Sequence, residues 1–338
     1  MPEASKYKSL YAFALRYTRS DTNMSNAFPQ PHFVQTNGIR MAVYERGEGP
    51  AIILLHGFPD LAYSWRHQLP ALAAGGYRAI APDLRGYGQT DCPPDIDDYR
   101  IQELVSDVKG LLDALGLQHA VFVGHDWGAL LVWHMSLVCP EIIERQVILN
   151  IPFYARPSVD PLGVMREKLG NDFYIVNFND SDAADRAFAA DPAHFFTMMM
   201  RRGQITREQY DKLPPERKVL NLLATMAREM SGGDPLLSDE ELHYYASAYS
   251  KSGFTGPINW YRHWTSNWAS LEGVEQTVRV PTLFIGADND VVIAPEHIEA
   301  MKRHVTDIEV HVLENCGHWT QQEQPENVNG LILGWLSS

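Results

Sequence analysis

Short apolar runs alternate with helix-like segments through the first half of this 338-residue chain, and that alternation limits the fold more than any other feature. "AIILLHGF" is a continuous apolar run, as expected of a strand buried on both faces. "YSWRHQLPALAAGG" reads as a helix closing on Gly75-Gly76, and "YRAIAPDLRGYG" as a strand with its loop. "IQELVSDVKGLLDALG" carries apolar residues at helical spacing, "HAVFVGHD" is a strand, "WGALLVWHMSLVCP" is a helix stopped by Pro140, and "RQVILNIP" is another strand. Such alternation predicts an α/β fold built on a doubly wound, mostly parallel sheet. Ahead of it, two strand-like runs flank Asn37-Gly38, a strong hairpin signal.

The rhythm stops near residue 153 and resumes at "VPTLFIGADND", which is followed by a helix from Pro295, the run "IEVHVLENCGH" and a last helix from about residue 323 to 336. Three parts are expected: an N-terminal extension over 1–30, a sheet core over 31–152 and 271–338, and a helical insertion over 153–270. Hydrophobic content of 45% supports a sizeable core. A net charge of −14 argues against nucleic acid as a partner, because phosphates demand a basic surface. Cys92, Cys139 and Cys316 form neither a disulfide framework nor a zinc pattern; three free thiols point to a reducing, cytoplasmic setting. No apolar run reaches the length of a membrane span. Oligomeric state stays open, a dimer being one option.

Ligands of doubly wound sheets bind beyond the carboxyl ends of the strands. Four short stretches end strands here: "HGFP", "GHDWG", "GADND" and "CGH". The second has the layout Gly-x-nucleophile-x-Gly, in which a strand turns sharply into a helix and exposes one side chain. That residue is usually serine; here it is Asp126. A helix N-terminus beside it favours the ionised carboxylate that attack requires. His318, after the last strand, is where the base falls in the chain order nucleophile, acid, histidine. Asp288 and Asp290 both lie in the interval for the acid; Asp290 is preferred, being farther beyond the strand end, with Asp288 read as a turn residue. Backbone N–H groups of Phe58 and Trp127 would form an oxyanion hole, and His56 would brace its loop.

A carboxylate at this position attacks a saturated carbon and forms an ester with the enzyme. The oxyanion hole then serves the water attack on that ester, with His318 as base. The leaving group decides the reaction. A halide needs only N–H donors, whereas an epoxide oxygen needs a proton. Tyrosines could supply one, and the insertion contains Tyr174, Tyr244, Tyr245, Tyr249 and Tyr261, although such a cluster also suits packing.

From about residue 32 onward the chain resembles the soluble α/β-hydrolase-fold epoxide hydrolases. The resemblance rests on "HGFP", "GHDWGALLVW", "DFYIVNF", "SGFTGPINWYR", "DND" and "CGHWTQ", the fourth and last being the more diagnostic. It implies a helical cap inserted into an α/β-hydrolase core, epoxide and water as substrates, vicinal diols as products, and no cofactor or metal. It also implies that Tyr174 and Tyr261 are the ring-opening tyrosines. The runner-up is a haloalkane dehalogenase, but those enzymes usually place asparagine after "HG", where Phe58 stands. Haloacid dehalogenases usually place arginine beside the nucleophile, where Trp127 stands. A third reading is a non-catalytic small-molecule receptor on the same scaffold, which the intact nucleophile, acid and base argue against.

Overall fold

The structure is a computed structural model that describes residues 28–227 and 232–338. The expected N-terminal extension lies outside the described residues up to residue 27. The strands of the main sheet are β1 (His32–Thr36), β2 (Ile39–Arg46), β3 (Ala51–Leu55), β4 (Arg78–Pro82), β5 (Ala120–His125), β6 (Ile143–Leu149), β7 (Thr282–Ala287) and β8 (Ile308–Leu313). Their order across the sheet is β1-β2-β4-β3-β5-β6-β7-β8. β2 pairs antiparallel with β1 and β4, and every other neighbour pair is parallel. The β1–β2 turn takes Asn37 and Gly38 to φ of 42° and 77°, the double positive φ of the hairpin turn read from the sequence.

The strand periodicity of two sorts the core into two layers. Ile53, Leu55, Phe122, Ile148 and Phe284 face one cluster, while Ile52, Leu54, Val121, Val123, Val147, Leu149, Leu283 and Ile285 face the other. A run such as "AIILL" therefore carries no polar alternation, because both of its faces are covered. Among the described residues no helix is long and apolar enough to cross a membrane.

Between β6 and β7 the chain forms short helices, among them Tyr174–Asp180, Pro192–Met199, Asp239–Ser252 and Thr255–Arg262. Their ends are locally specified. Thr206 and Ser238 each close a capping box with the residue three positions on, and Asp160, Asp191 and Asn221 accept backbone N–H bonds at other helix starts. One departure from the sequence reading is a two-residue ladder, Arg201–Arg202 against Asp234–Pro235, inside a stretch expected to be strand-free. Pairs this short have no periodicity to reveal them.

Candidate active site

β5 ends at His125, and the helix Trp127–Val138 begins two residues later, so Asp126 alone makes the turn. It does so at φ 53°, ψ −119°, a conformation that costs a non-glycine residue about 1–3 kcal/mol and is held only by its surroundings. The helix packs so close to the sheet that a β-carbon on Gly128 would lie 2.0 Å from Leu55 O. Phe58 N–H donates to Asp126 Oδ1 at 2.8 Å, and Trp127 N–H bonds the same carboxylate. The two expected oxyanion donors thus converge on one carboxyl group. Burial pushes Asp126 above the ordinary carboxylate value, while His318 and the Phe58 and Trp127 N–H groups pull it down. The helix N-terminus is therefore not the whole electrostatic story, because desolvation works against it.

His318 lies in the loop after β8. Its Nδ1 is 2.9 Å from Asp290 Oδ2, and its Nε2 is 3.8 Å from Asp126 Oδ2. Burial alone would lower the imidazole, but the Asp290 charge and hydrogen bond, with Asp126 and Asp60, hold it up at about 9. Burial likewise tends to raise Asp290, yet His318, Asn150 and Val292 N–H outweigh it and hold the carboxyl below its usual value. Asp288, the other candidate, does not face the imidazole: its oxygens accept the N–H groups of Asn315 and Cys316.

Tyr174 and Tyr261 stand on two helices of the insertion, with ring centroids 5.7 Å apart. Tyr261 meets Trp127 edge-on at 5.0 Å and Phe58 at 5.5 Å. Both phenols are raised above their ordinary value by burial and then by the Asp126 charge, so they stay protonated donors. A cavity of about 220 Å³ is lined by Asp126, His318, Asp290, Phe58, Tyr174 and Tyr261, with Met199, Leu220 and Leu222 adding apolar wall. The structure thus brings these predicted residues to one space. A larger cavity of about 670 Å³ behind the Asp288–Asp290 loop touches neither Asp126 nor the two tyrosines.

The other tyrosines brace the insertion. Tyr245 OH donates to Asp60 Oδ1 at 2.8 Å and Tyr249 OH to Pro59 O at 2.9 Å, while Tyr244 stacks on Tyr63. His56 accepts from Leu84 N–H and reaches Gly57 O through Nδ1, and burial lowers it to about 4, so it is a neutral loop brace.

Sequence reasoning gave no role to Asp60, His125 or Asn150, which surround the triad-like cluster. Asp60 is fully buried, and burial raises it to about 7 against the pull of Tyr245, Arg66 and His318. His125 Nε2 donates to His318 O at 2.8 Å, and burial lowers it to about 3, which keeps it neutral. Asn150, at φ 67°, donates to the same Asp290 oxygen as His318, at 2.7 Å. A charge directly after "HGFP" was the readable signal for Asp60; nothing local marks the other two.

A family model described as alpha/beta hydrolase fold matches residues 50–325. The chain belongs to the α/β-hydrolase fold family. Epoxide hydrolase A of Mycobacterium tuberculosis is 38% identical over 322 residues, covering 91% of this chain and 98% of the relative. Epoxide hydrolase 2 of Siraitia grosvenorii is 38% identical over 317 residues, covering 90% and 96%. In three dimensions the α/β-hydrolase fold here matches the crystal structure of epoxide hydrolase A from Mycobacterium thermoresistibile with a TM-score of 0.83 at 35% identity, over 92% of this chain and 98% of that one.

Proposed function

We propose that this chain is an epoxide hydrolase that forms vicinal diols through an ester on Asp126. The observation that carries the reading is the pair Tyr174 and Tyr261 in the same cavity as an elbow carboxylate. A halide leaves without a proton, whereas an alkoxide needs one, and two phenols held protonated by burial suit the alkoxide. Residues 153–270 act as a cap that carries these tyrosines over a core of 31–152 and 271–338. The three free thiols, Cys92, Cys139 and Cys316, favour a cytoplasmic setting.

In the first step an Asp126 oxygen attacks an epoxide carbon. The carbon–oxygen bond breaks, and the ring oxygen takes a proton from a tyrosine, which regains it from solvent. Alkylation removes the Asp126 charge, one of those that hold His318 high. The imidazole then releases its proton more readily and becomes a base, with Asp290 fixing its orientation through Nδ1. Water attacks the Asp126 carbonyl carbon and gives a proton to His318 Nε2. The oxyanion meets the Phe58 and Trp127 N–H groups. Collapse returns that proton to the departing diol oxygen and leaves Asp126 as a carboxylic acid with one water oxygen, whose proton passes to His318 and restores the starting carboxylate and imidazolium.

The test is the His318→Gln variant incubated with styrene oxide and, separately, with a 1-haloalkane. Intact mass spectrometry should show protein plus one epoxide, with the adduct on the Asp126 peptide. Diol formation at the wild-type rate, or an adduct with the haloalkane alone, overturns the reading.

A further inference from the structure

The loop that carries His318 belongs to neither a helix nor a strand, so its amides have no ladder to hold them. Two carboxylates take that place. Asn315 and Cys316 donate their N–H groups to Asp288 Oδ2 and Oδ1 at 3.0 and 3.1 Å. Gly317 and Trp319, on either side of His318, donate theirs to Glu323 Oε2 and Oε1 at 2.9 and 3.1 Å. His318 in turn gives its carbonyl to His125 Nε2. Two backbone bonds complete the join between the acid and base loops, Asp288 N–H to Leu313 O at 3.0 Å and Asn289 N–H to Cys316 O at 2.9 Å. Asn289 Nδ2 also holds Asp288 Oδ1 at 2.8 Å.

Each carboxylate here fixes two amides at once, one on each of its oxygens. Burial raises Glu323, and the Gly317 and Trp319 N–H groups and His318 pull it back toward the ionised form, in which such bonds are roughly twice as strong as neutral ones. A base that must take a proton from a water beside the ester needs sub-ångström placement, since a displacement of about 1 Å can cost about 100-fold in rate. Ring opening by Asp126 makes no such demand on His318. We propose that Asp288 and Glu323 are positioning residues for His318, holding the base loop from both sides and so setting the rate of ester hydrolysis without touching substrate. The proposal rests on the covalent reading above. It gives Asp288 a specific task in place of the generic turn role read from the sequence.

Three variants test it: Asp288→Asn, Glu323→Gln and Gly317→Ala. Each amide places a donor where a backbone N–H needs an acceptor. Gly317→Ala leaves every carboxylate intact, but its β-carbon would lie 2.8 Å from Glu323 Oε1, pushing the clasp open. Single-turnover kinetics with styrene oxide, followed by quenched intact mass spectrometry, separates ester formation from ester hydrolysis. We expect hydrolysis to slow about 10-fold or more, with ring opening changed far less, so that the ester accumulates. Melting temperature and the titrated fraction of active protein are read alongside. A merely structural role lowers the active fraction or both steps in parallel, and that result overturns the proposal. An ester trapped in His318→Gln together with an unchanged ratio of steps in all three variants overturns the positioning role alone. No ester in His318→Gln overturns the covalent reading and this role with it.

Discussion

His318 sits between two acids, and its protonation should differ between the halves of the reaction. In the free protein, burial lowers the imidazole but Asp290, Asp126 and Asp60 hold it at about 9. A folded value above the unfolded 6.5 means that its contribution to stability is full below about 6.5 and is lost as pH rises through about 9. Esterified Asp126 carries no charge, so the imidazole should titrate lower in the intermediate. Two measurements check this. NMR of the free protein should place the His318 titration near 9. The pH midpoint for ester hydrolysis in single turnovers should lie below that value. Coincident midpoints would mean that the Asp126 charge does not set the base.

Among the elements, the β5-to-helix turn is the most constrained. Asp126 takes a positive φ, and Gly128 brings the helix backbone against Leu55. A methyl group there meets a carbonyl rather than a flexible side chain, and overpacking of this kind costs about 3 kcal/mol or more when backbone must move. Gly128→Ala is expected to yield little folded protein, or protein whose unfolding free energy in denaturant titrations falls by that amount. A fully stable Gly128→Ala protein would show that strand and helix can separate without cost. In the neighbouring base loop a β-carbon on Gly317 would meet the end of the Glu323 side chain at 2.8 Å rather than a backbone carbonyl, so the steric constraint there is weaker.

Across the whole molecule, the helices between β6 and β7 fasten to the loops of the sheet core through polar contacts, two of them at the oxyanion loop. Tyr245 and Tyr249 hold Asp60 and Pro59, Trp260 Nε1 donates to Arg85 O at 3.1 Å, and Arg66 pairs with Glu241 at 2.5 Å. Asp60 is the pH-sensitive member. Burial raises it from 3.8 to about 7, so its carboxyl contributes stability that is lost as pH rises between those values. The Tyr245 phenol favours the ionised form, and removing it should move the folded value higher still. Tyr245→Phe is therefore expected to cost about 1.5–3 kcal/mol above pH 7, where a hydrogen bond to a charged group is lost, and less near pH 5. Denaturant titrations at the two pH values read the difference. A cost independent of pH would assign it to packing.

The order of strands and helices, the Asn37-Gly38 hairpin and the elbow at Asp126 were legible because each is written in neighbouring residues: apolar period, turn chemistry, a glycine-flanked bend. His318 and Asp290 were legible as candidates because chain order places them after the last strands, and the tyrosines because a long stretch of sequence resembles a family. What the sequence could not supply was any relation between distant residues. The preference for Asp290 over Asp288 could be stated from chain order, but its contact with His318, the Asn150 donor to the same carboxylate oxygen, and the burial of Asp60 beside His125 depend on contacts spanning from 28 to 140 positions. Hydrogen bonds and desolvation act over a few ångströms in space, whatever the separation along the chain, so only the folded structure decides which polar groups meet and which of them lose their water.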